Sequence, residues 1–265
     1  MLLPVVATAL SLEPALAGSF VFEIGDNATL GEVAFNSPHP DACLIWDYDF
    51  AASDGHRDYR ELCATEWISW EQREPKIFWR GSSTGHRLYP PPAEGEADSL
   101  RWLPRLALCK ACTDPEIANF CDAGISQLRQ MPEPHLQARV RDAGLIRDPV
   151  PREDFLKFRG AFDIDGNANA WSGLFCSLLG GSCVLKISSA GRYRQWYYDR
   201  LIPWQNFVPI QSDLADLRDA VSWFANHDAN AAGIAAAGRE LANEMTTRSA
   251  LSESGKNLIR WTQRR

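Results

Sequence analysis

No apolar run in this 265-residue sequence is long enough to cross a membrane, which takes about 20 consecutive apolar residues in a helix. The N-terminal stretch 1–12 is apolar, but no positively charged residue precedes it, and Glu13 and Pro14 follow it directly. We therefore expect it to pack on the protein as a helix or strand, and not to act as a secretion signal. We expect at most a peripheral contact with a membrane.

Positive charge is also in the minority. The chain has 27 Lys and Arg against 34 Asp and Glu, a formal net charge of −7. Proteins that bind nucleic acids usually carry a basic face, so this balance argues against a nucleic-acid partner. The sequence has no Ser-His-Asp series, no Walker loop, no zinc-protease helix and no internal repeats. The sequence therefore carries no motif of the usual triad hydrolases, P-loop nucleotidases or zinc proteases.

The seven cysteines form no disulfide pattern. Their number is odd and no secretion signal is recognised, so we expect reduced thiols in the interior. We expect the protein itself in the cytoplasm, either free or at the inner face of the membrane. Cys109, Cys112 and Cys121 have the spacing that opens a zinc cluster, but the nearest histidine, His135, lies beyond two prolines. We therefore predict no structural metal.

Strand-type and helix-type segments alternate through the second half of the chain, which predicts an α/β fold with a parallel sheet. Strands are predicted at 42–45, 156–164 and 183–187, and helices at 172–179, 213–226 and 228–245. The length and the hydrophobic content of 45% are sufficient for one large or two small globular domains.

A phosphate-binding loop is predicted at residues 76–87. An apolar run that is typical of a buried strand ends there in small residues placed between two arginines. The N–H groups and hydroxyls of such a loop can donate to an anion, and an arginine can bind it through two parallel hydrogen bonds. The expected contacts to a phosphate or diphosphate are Arg80, Ser82, Thr84 and Arg87. An ordinary surface turn explains the segment equally well.

A second anion site is predicted where the strand at 156–164 leads into a helix. Gly166 allows close approach of the backbone to a ligand, and Asn167 or Asn169 can cap a helix that begins near Ala170. The free N–H groups of that helix would point at a phosphate in the crevice at the carboxyl end of the strand. The candidate contacts are Gly166, Asn167, Ala168, Asn169, Ala170, Trp171 and Ser172. A plain Asx turn with an N-cap is the alternative.

Four segments stand in an order that resembles glycosyltransferase family 90, the group of protein O-glucosyltransferases and bacterial lipopolysaccharide-modifying transferases. They are the loop 76–87 and the segments 162–173, 180–187 and 193–217. The similarity extends from Ile24 to Met245 and so covers most of the chain. Each segment alone is a weak signal, but the ordered set is specific.

The resemblance implies a GT-B-like α/β fold, in which two Rossmann-type halves face a cleft and the N-terminal half is short. We expect an acceptor half at 1–75, truncated or minimal, a nucleotide-sugar-binding domain at 76–245 and a C-terminal helix or tail at 246–265. The implied reaction is an inverting transfer of glucose or xylose from a UDP-sugar to a hydroxyl. The resemblance implies no metal and no other cofactor.

The segments 44–60 and 79–85 are closer to the bacterial branch of the family, so lipopolysaccharide or another surface glycan, free or lipid-linked, is the expected acceptor. One alternative is a protein O-glycosyltransferase of a secretory compartment. The other is a non-catalytic remnant that binds a nucleotide. The short N-terminal half favours the remnant, as does the tripeptide 173–175, which stands where the family usually has an arginine. Arg192 or Arg194 would have to replace that arginine, or donor binding would be weakened.

An inverting transfer needs a carboxylate that accepts the proton of the acceptor hydroxyl. The family places this aspartate shortly after an acidic turn in the N-terminal half. The resemblance therefore points to Asp54 first, Asp49 second and Asp47 third, with His56 as an assisting group. A plain turn at Asp54 is the alternative.

Two Asp-x-Asp pairs could hold a divalent cation instead. Alternate residues of a strand point to the same side, so Asp47 with Asp49, or Asp163 with Asp165, could clamp Mg²⁺ or Mn²⁺. Because the resemblance is to a metal-independent group, we expect neither pair to do so.

Overall fold

The computed structural model describes residues 1–26, 28–85 and 103–265. Its α-helices are α1 (Leu2–Leu12), α2 (Tyr48–Ala52), α3 (Arg57–Thr65), α4 (Pro104–Ala111), α5 (Pro134–Asp142), α6 (Ser172–Leu179), α7 (Leu217–Asn226), α8 (Asp228–Glu244) and α9 (Thr247–Gln263). Its strands are β1 (Phe22–Glu23), β2 (Val33–Ala34), β3 (Asn36–Ser37), β4 (Cys43–Leu44), β5 (Glu74–Ser82), β6 (Cys121–Gln127), β7 (Phe158–Asp163), β8 (Cys183–Ile187), β9 (Arg194–Gln195) and β10 (Val208–Ile210). Across these ranges, no helix combines the length and the apolar character that a bilayer crossing requires.

A five-stranded parallel sheet forms the centre of the molecule, which confirms the predicted α/β fold. Its strands lie in the spatial order β10–β8–β7–β5–β6. The chain therefore runs from β5 outward to β6 and then returns to the other side of β5 as β7. The strand order reverses between β5 and β7, and in open parallel sheets such a switch point is where ligands bind.

Each face of this sheet has its own apolar cluster. Alternate residues of β8 belong to different clusters, because successive side chains of a strand point to opposite faces. Leu185 packs with residues of α4, α5 and α7, such as Leu106 and Phe224. Val184 packs with α6 and with the N-terminal region, through residues such as Phe175 and Ile45. The N-terminal region therefore shares one core with the second face of the sheet.

The N-terminal region contains a small parallel sheet in the order β1–β2–β4. Helix α9 packs on α1 and on β4, where the amide of Asn257 donates to the carbonyl of Leu44 at 2.9 Å. The antiparallel pair β3–β9 joins the region to the chain after β8. Each strand of the small sheet has two residues, so the two-half GT-B layout and the proposed domain boundaries stay predictions.

Several local predictions are confirmed, and some elements were missed. Helix α6 and strand β8 have the predicted bounds, and the apolar N-terminal stretch forms a helix, α1. The segment 192–201 contains β9 and one 3₁₀ turn at 198–200, because β9 pairs with β3. The sequence did not indicate β6 or α5.

Candidate functional site

At the switch point the carboxyl ends of β5 and β7 lie side by side, which is where open parallel sheets form a crevice. Strand β5 ends at Ser82 and β7 ends at Asp163, and both predicted anion loops follow these strands directly. The first loop is described as far as Gly85, and the predicted contact Arg87 lies outside the described residues. The sheet therefore brings together two segments that are about 80 positions apart in the sequence, as the strand order requires.

Arg105 of α4 joins the two loops. Its Nε donates to the carbonyl of Asp165 at 3.0 Å, and its Nη1 donates to the carbonyl of Ser82 at 3.2 Å and to Thr84 Oγ1 at 2.7 Å. Burial lowers the pKa of Arg105, although the neighbouring carboxylates oppose that effect. Arg105 thus fixes the spacing of the loops and places a positive charge in the crevice. The sequence showed only a helical arginine, with no sign of this role.

Gly166 lies in close contact with Arg105. A Cβ atom at this position would lie 3.1 Å from Nη2 of Arg105 and 3.6 Å from Oγ1 of Thr84. A side chain at this position would therefore meet Arg105, and the approach of a ligand to Gly166 stays a prediction. The hydroxyls of Ser82 and Thr84, both predicted contacts, lie 2.9 Å from each other at the same place.

The loop after β7 contains a series of backbone N–H groups without a hydrogen-bond acceptor in the described part of the chain. Within the described ranges, no group accepts a hydrogen bond from the N–H of any residue in 166–172. Gly166, Ala168 and Asn169 are buried. A buried N–H without an acceptor costs free energy unless water or a ligand binds it. The segment therefore has the donors that an anion requires, next to the N-terminus of α6.

The predicted caps of this helix are wrong. Helix α6 begins at Ser172, and its N-cap is Trp171, which makes no side-chain cap and has a φ of 48°. Asn169 turns inward instead, where its amide donates to the carbonyl of Tyr193 and to the hydroxyl of Tyr198, both at 3.2 Å. Asn167 accepts a hydrogen bond from the amide of Gln130 at 2.8 Å. The left-handed turn at Trp171 delays the helix, so neither asparagine reaches its first N–H groups.

A buried ion pair lies beneath the loop. Lys186 donates to the carboxylate of Asp163 at 2.6 Å, and their side chains are 9% and 2% exposed. Burial raises the pKa of the adjacent Asp165 to about 6, while Lys186 and Ser189 act in the opposite direction. The Oδ1 atom of Asp165 is buried and has no hydrogen-bond partner among the described residues. A protonated Asp165 would favour an anion nearby, whereas a charged one would repel it.

Arg80, another predicted contact, lies within β5 and not in the loop. Its Nη2 donates to the carboxylate of Asp122 at 2.6 Å, and its Nη1 donates to the carbonyl of Asp122 at 2.9 Å. Its guanidinium also lies over the ring of Phe78. Arg80 thus links β5 to β6 and is committed to protein contacts.

Asp49 and Trp171 line a common pocket of about 480 Å³ between the N-terminal region and the loop after β7. The aromatic residues Phe35 and Tyr48 and a second carboxylate, Asp26, also line it. The second-choice base therefore faces the same space as the end of the predicted anion loop. Ala170 and Ser172 adjoin Trp171 in the chain and lie at this end of the loop.

Asp54, the first-choice base, has different neighbours. Its carboxylate forms an ion pair with Arg57 and accepts a hydrogen bond from the hydroxyl of Thr247 at 2.7 Å. These contacts lower the pKa of Asp54, with the Thr247 hydrogen bond as the largest cause. The structure thus places Asp54 beside the start of α9, and Asp49 beside Trp171.

Asp47 and His56 are both buried and engaged. Asp47 caps α2 by accepting a hydrogen bond from the N–H of Phe50 at 2.9 Å, and burial raises its pKa. The Nδ1 atom of His56 lies 3.1 Å from the hydroxyl of Ser53, and burial lowers the pKa of His56. Both residues support the segment that presents Asp49.

An arginine stands at the start of α6 although the segment 173–175 has none. Arg152 donates from Nη2 to the hydroxyl of Ser172 at 3.0 Å and from Nη1 to the sulfur of Cys176 at 3.3 Å. Arg194 does not take this place, because it donates to the carbonyls of His39 and Pro40. Nothing in the sequence indicated this role of Arg152, which comes from the segment before β7.

Each Asp-x-Asp pair has a carboxylate that already contacts the protein. In each pair one carboxylate is bound within the protein, Asp163 by Lys186 and Asp47 by the N–H of Phe50. Across residues 1–26, 28–85 and 103–265, no group of three or more His, Cys, Asp or Glu side chains is arranged to hold a metal ion. Six of the seven cysteines are buried, whereas Cys121, which was expected in the interior, is partly exposed.

Comparison with known proteins adds an independent observation. Residues 127–252 match the sequence model of glycosyl transferase family 90. The chain is 37% identical over 89 residues to Protein O-glucosyltransferase 2 of Danio rerio, a match that covers 34% of this chain and 17% of that protein. It is 35% identical over 92 residues to Protein O-glucosyltransferase 3 of Homo sapiens, covering 35% of this chain and 18% of that protein.

A longer match joins this chain to the O-glucosyltransferase rumi homolog of Aedes aegypti. The two are 27% identical over 189 residues, which cover 71% of this chain and 40% of the mosquito protein. The chain thus spans less than half the length of each of these three relatives.

Proposed function

We propose that this chain, which matches the sequence model of glycosyl transferase family 90 over residues 127–252, transfers glucose or xylose from a UDP-sugar to a hydroxyl of a glycan. The observation that carries the proposal is the set of N–H groups at 166–172, which have no acceptor in the described part of the chain and lie at a switch point of a parallel sheet. A diphosphate supplies the acceptors that these donors lack. Glucose is the first choice, because the relatives named above are O-glucosyltransferases.

In the proposed donor complex the diphosphate lies on the loop 166–172. The N-terminal dipole of α6 and the charge of Arg152, which contacts Ser172, stabilise its negative charge. Arg105 holds the loop in place and adds positive charge from beneath. Arg152 thus takes the position for which the tripeptide 173–175 offers no arginine, and this supports an active enzyme over a non-catalytic remnant.

The proposed reaction is a single displacement at the anomeric carbon. The acceptor oxygen forms the new bond while the bond between that carbon and the diphosphate oxygen breaks, so the electron pair leaves with UDP and the configuration inverts. The acceptor proton moves to a carboxylate. N–H groups and arginines meet the charge on the leaving UDP, so the mechanism requires no metal.

Asp49 is the proposed base. It shares the 480 Å³ pocket with Trp171, so an acceptor hydroxyl in this pocket would lie between the carboxylate and the donor loop. Asp54 has an ion pair and a hydrogen bond of its own, which make it a poorer proton acceptor. We therefore place Asp49 ahead of Asp54.

A surface glycan such as lipopolysaccharide remains the proposed acceptor. The names of the relatives support a second candidate, a serine or threonine hydroxyl of a protein. Both acceptors present an alcohol to the same base. UDP release in the presence of an oligosaccharide or of a folded protein domain would distinguish them.

The test is a comparison of Asp49→Asn with Asp54→Asn. Loss of a general base costs about 10²- to 10⁴-fold in rate, so we expect Asp49→Asn to lose at least 100-fold in UDP-glucose turnover while Asp54→Asn keeps most of it. Both variants should keep the thermal stabilisation by UDP, which linkage puts at about 2.7 kcal/mol at a hundredfold excess over the dissociation constant. EDTA should change neither result.

Two outcomes contradict the proposal. If Asp54→Asn loses turnover and Asp49→Asn keeps it, the assignment of the base is wrong. If UDP stabilises the wild type but no UDP-sugar is turned over with any acceptor, the chain is a nucleotide-binding remnant.

A further inference from the structure

A second pocket, of about 590 Å³, lies at the end of the sheet opposite the switch point. Arg73, one of its lining residues, directly precedes β5, and Gly181 lies just before β8. One wall is a face of α8 that includes Ala232, Ala235, Arg239 and Asn243. Trp67 and Trp70 also line the pocket. The proposed donor site is at the carboxyl ends of the same strands, so the two sites are separate.

The indole of Trp67 contacts two arginines in this pocket. The Cζ atom of Arg239 is 3.6 Å from the ring centroid and that of Arg73 is 4.6 Å from it. Gly181 makes room for the ring, since a Cβ atom there would lie 2.8 Å from it and the φ of 73° disfavours any other residue. The conformation of the backbone at Gly181 therefore accommodates the Trp67 indole, which makes cation–π contacts with both arginines.

Both arginines have hydrogen-bond donors without acceptors. Arg73 is 3% exposed and donates from Nε to the carbonyl of Ile68 and from Nη1 to that of Gly181, both at 3.0 Å. Its Nη2 is buried and finds no acceptor within the described ranges, and the same holds for Nε of Arg239. Arg239, which is partly buried, forms no hydrogen bond or ion pair with any described residue.

Within residues 1–26, 28–85 and 103–265, no carboxylate forms an ion pair with either arginine. Glu240 and Glu244 also line the pocket, but in the described structure neither forms an ion pair with Arg73 or Arg239, and Glu244 is paired with Arg200. Buried cations without counter-ions are costly, and here the two also repel each other. An anion that enters the pocket would remove both costs.

We propose that this pocket binds a small organic oxyanion, a phosphate ester or a carboxylate attached to a ring. The oxygens of the anion would accept hydrogen bonds from the guanidinium of Arg239. Arg73 would add a second positive charge, and a shift of the Trp67 ring would also bring the free Nη2 of Arg73 within reach of the anion. Trp70 and the alanines of α8 would contact the ring. The volume is in the range of small-molecule sites.

The test is a calorimetric titration with phenyl phosphate, benzoate and phenol. We expect at least one of the two anions to bind, and phenol to bind roughly tenfold more weakly or not at all, because it lacks the oxyanion. Arg239→Gln should weaken the binding of that anion by roughly tenfold or more. Arg248 is an exposed arginine on α9, so Arg248→Gln should leave the affinity for the anion unchanged. Binding of phenyl phosphate alone assigns a phosphate ester, and binding of benzoate alone assigns a carboxylate.

A second measurement does not depend on the folding of the Arg239 variant. In protein labelled with 5-fluorotryptophan, Trp67→Phe identifies the ¹⁹F signal of Trp67, and the anion should shift that signal. Equal affinity of the two arginine variants, an unmoved Trp67 signal, or no binding of either anion would each overturn the proposal.

Discussion

Replacing Asp165 by asparagine should change how stability depends on pH. Burial raises the pKa of Asp165 from 3.8 to about 6 in the folded protein. A raised carboxyl pKa means that the folded state binds the proton more tightly than the unfolded chain does. The resulting stabilisation is fully present below pH 3.8 and is lost as the pH rises through 6. At about 1.4 kcal/mol per pKa unit, it amounts to about 2 to 3 kcal/mol between pH 4 and pH 7.

The assay is urea unfolding of the wild type and of Asp165→Asn at half-unit steps from pH 4 to pH 7. Other carboxyl groups titrate in this range, so the difference between the two proteins is the informative quantity. The free energy of unfolding of the wild type should rise relative to the variant as the pH falls. Asp148→Asn, at an exposed position, is the matched control and should give a flat difference. A flat difference for Asp165→Asn as well would refute the argument, because the carboxyl group would then not be held neutral by burial.

Two further predictions concern the same crevice. Lys186→Met leaves the carboxylate of Asp163 buried and unpaired, so unfolding in urea should show a loss of about 3 to 5 kcal/mol, which the added change Asp163→Asn should largely restore. A loss that the double variant does not recover would contradict this account. Gly166→Ala brings a methyl group to 3.1 Å from Arg105, so we expect a loss of about 1 to 3 kcal/mol and weaker stabilisation by UDP. Gly233→Ala is the control, because its new methyl group meets no atom within 4 Å. It should lower neither the free energy of unfolding nor the stabilisation by UDP.

Much of the fold was predictable because its signals are local. The apolar run that became β8 and the helix α6 have the bounds that the sequence indicated, since both are buried elements with clear ends. Strand β6 was missed, because its sequence mixes cysteine, glycine and polar residues and only pairing with β5 makes it a strand. Helix α5 begins at a proline and has few apolar residues, so its pattern was weak.

The candidate site was predictable only in part. The loop at 166–172 follows a strand and precedes a helix, and its composition was enough to suggest an anion site. The roles of Arg105 and Arg152 were not predictable, because each reaches the loop from a segment far away in the sequence. The choice between Asp49 and Asp54 likewise depends on which carboxylate faces Trp171, and spacing along the chain does not contain that information.

The sequence by itself indicated the α/β class of fold, the resemblance to glycosyltransferase family 90 and the segment of the predicted anion loop. Periodicity, glycine positions and the order of motifs can all be read along the chain, without knowledge of which residues are in contact. The tertiary structure alone decided which charges meet. The reversal of strand order between β5 and β7 brings the two loops together under Arg105, and the packing of the N-terminal region on α6 brings Asp49 to Trp171. Such encounters depend on how the elements pack, because a side chain's partners are set by distance in space.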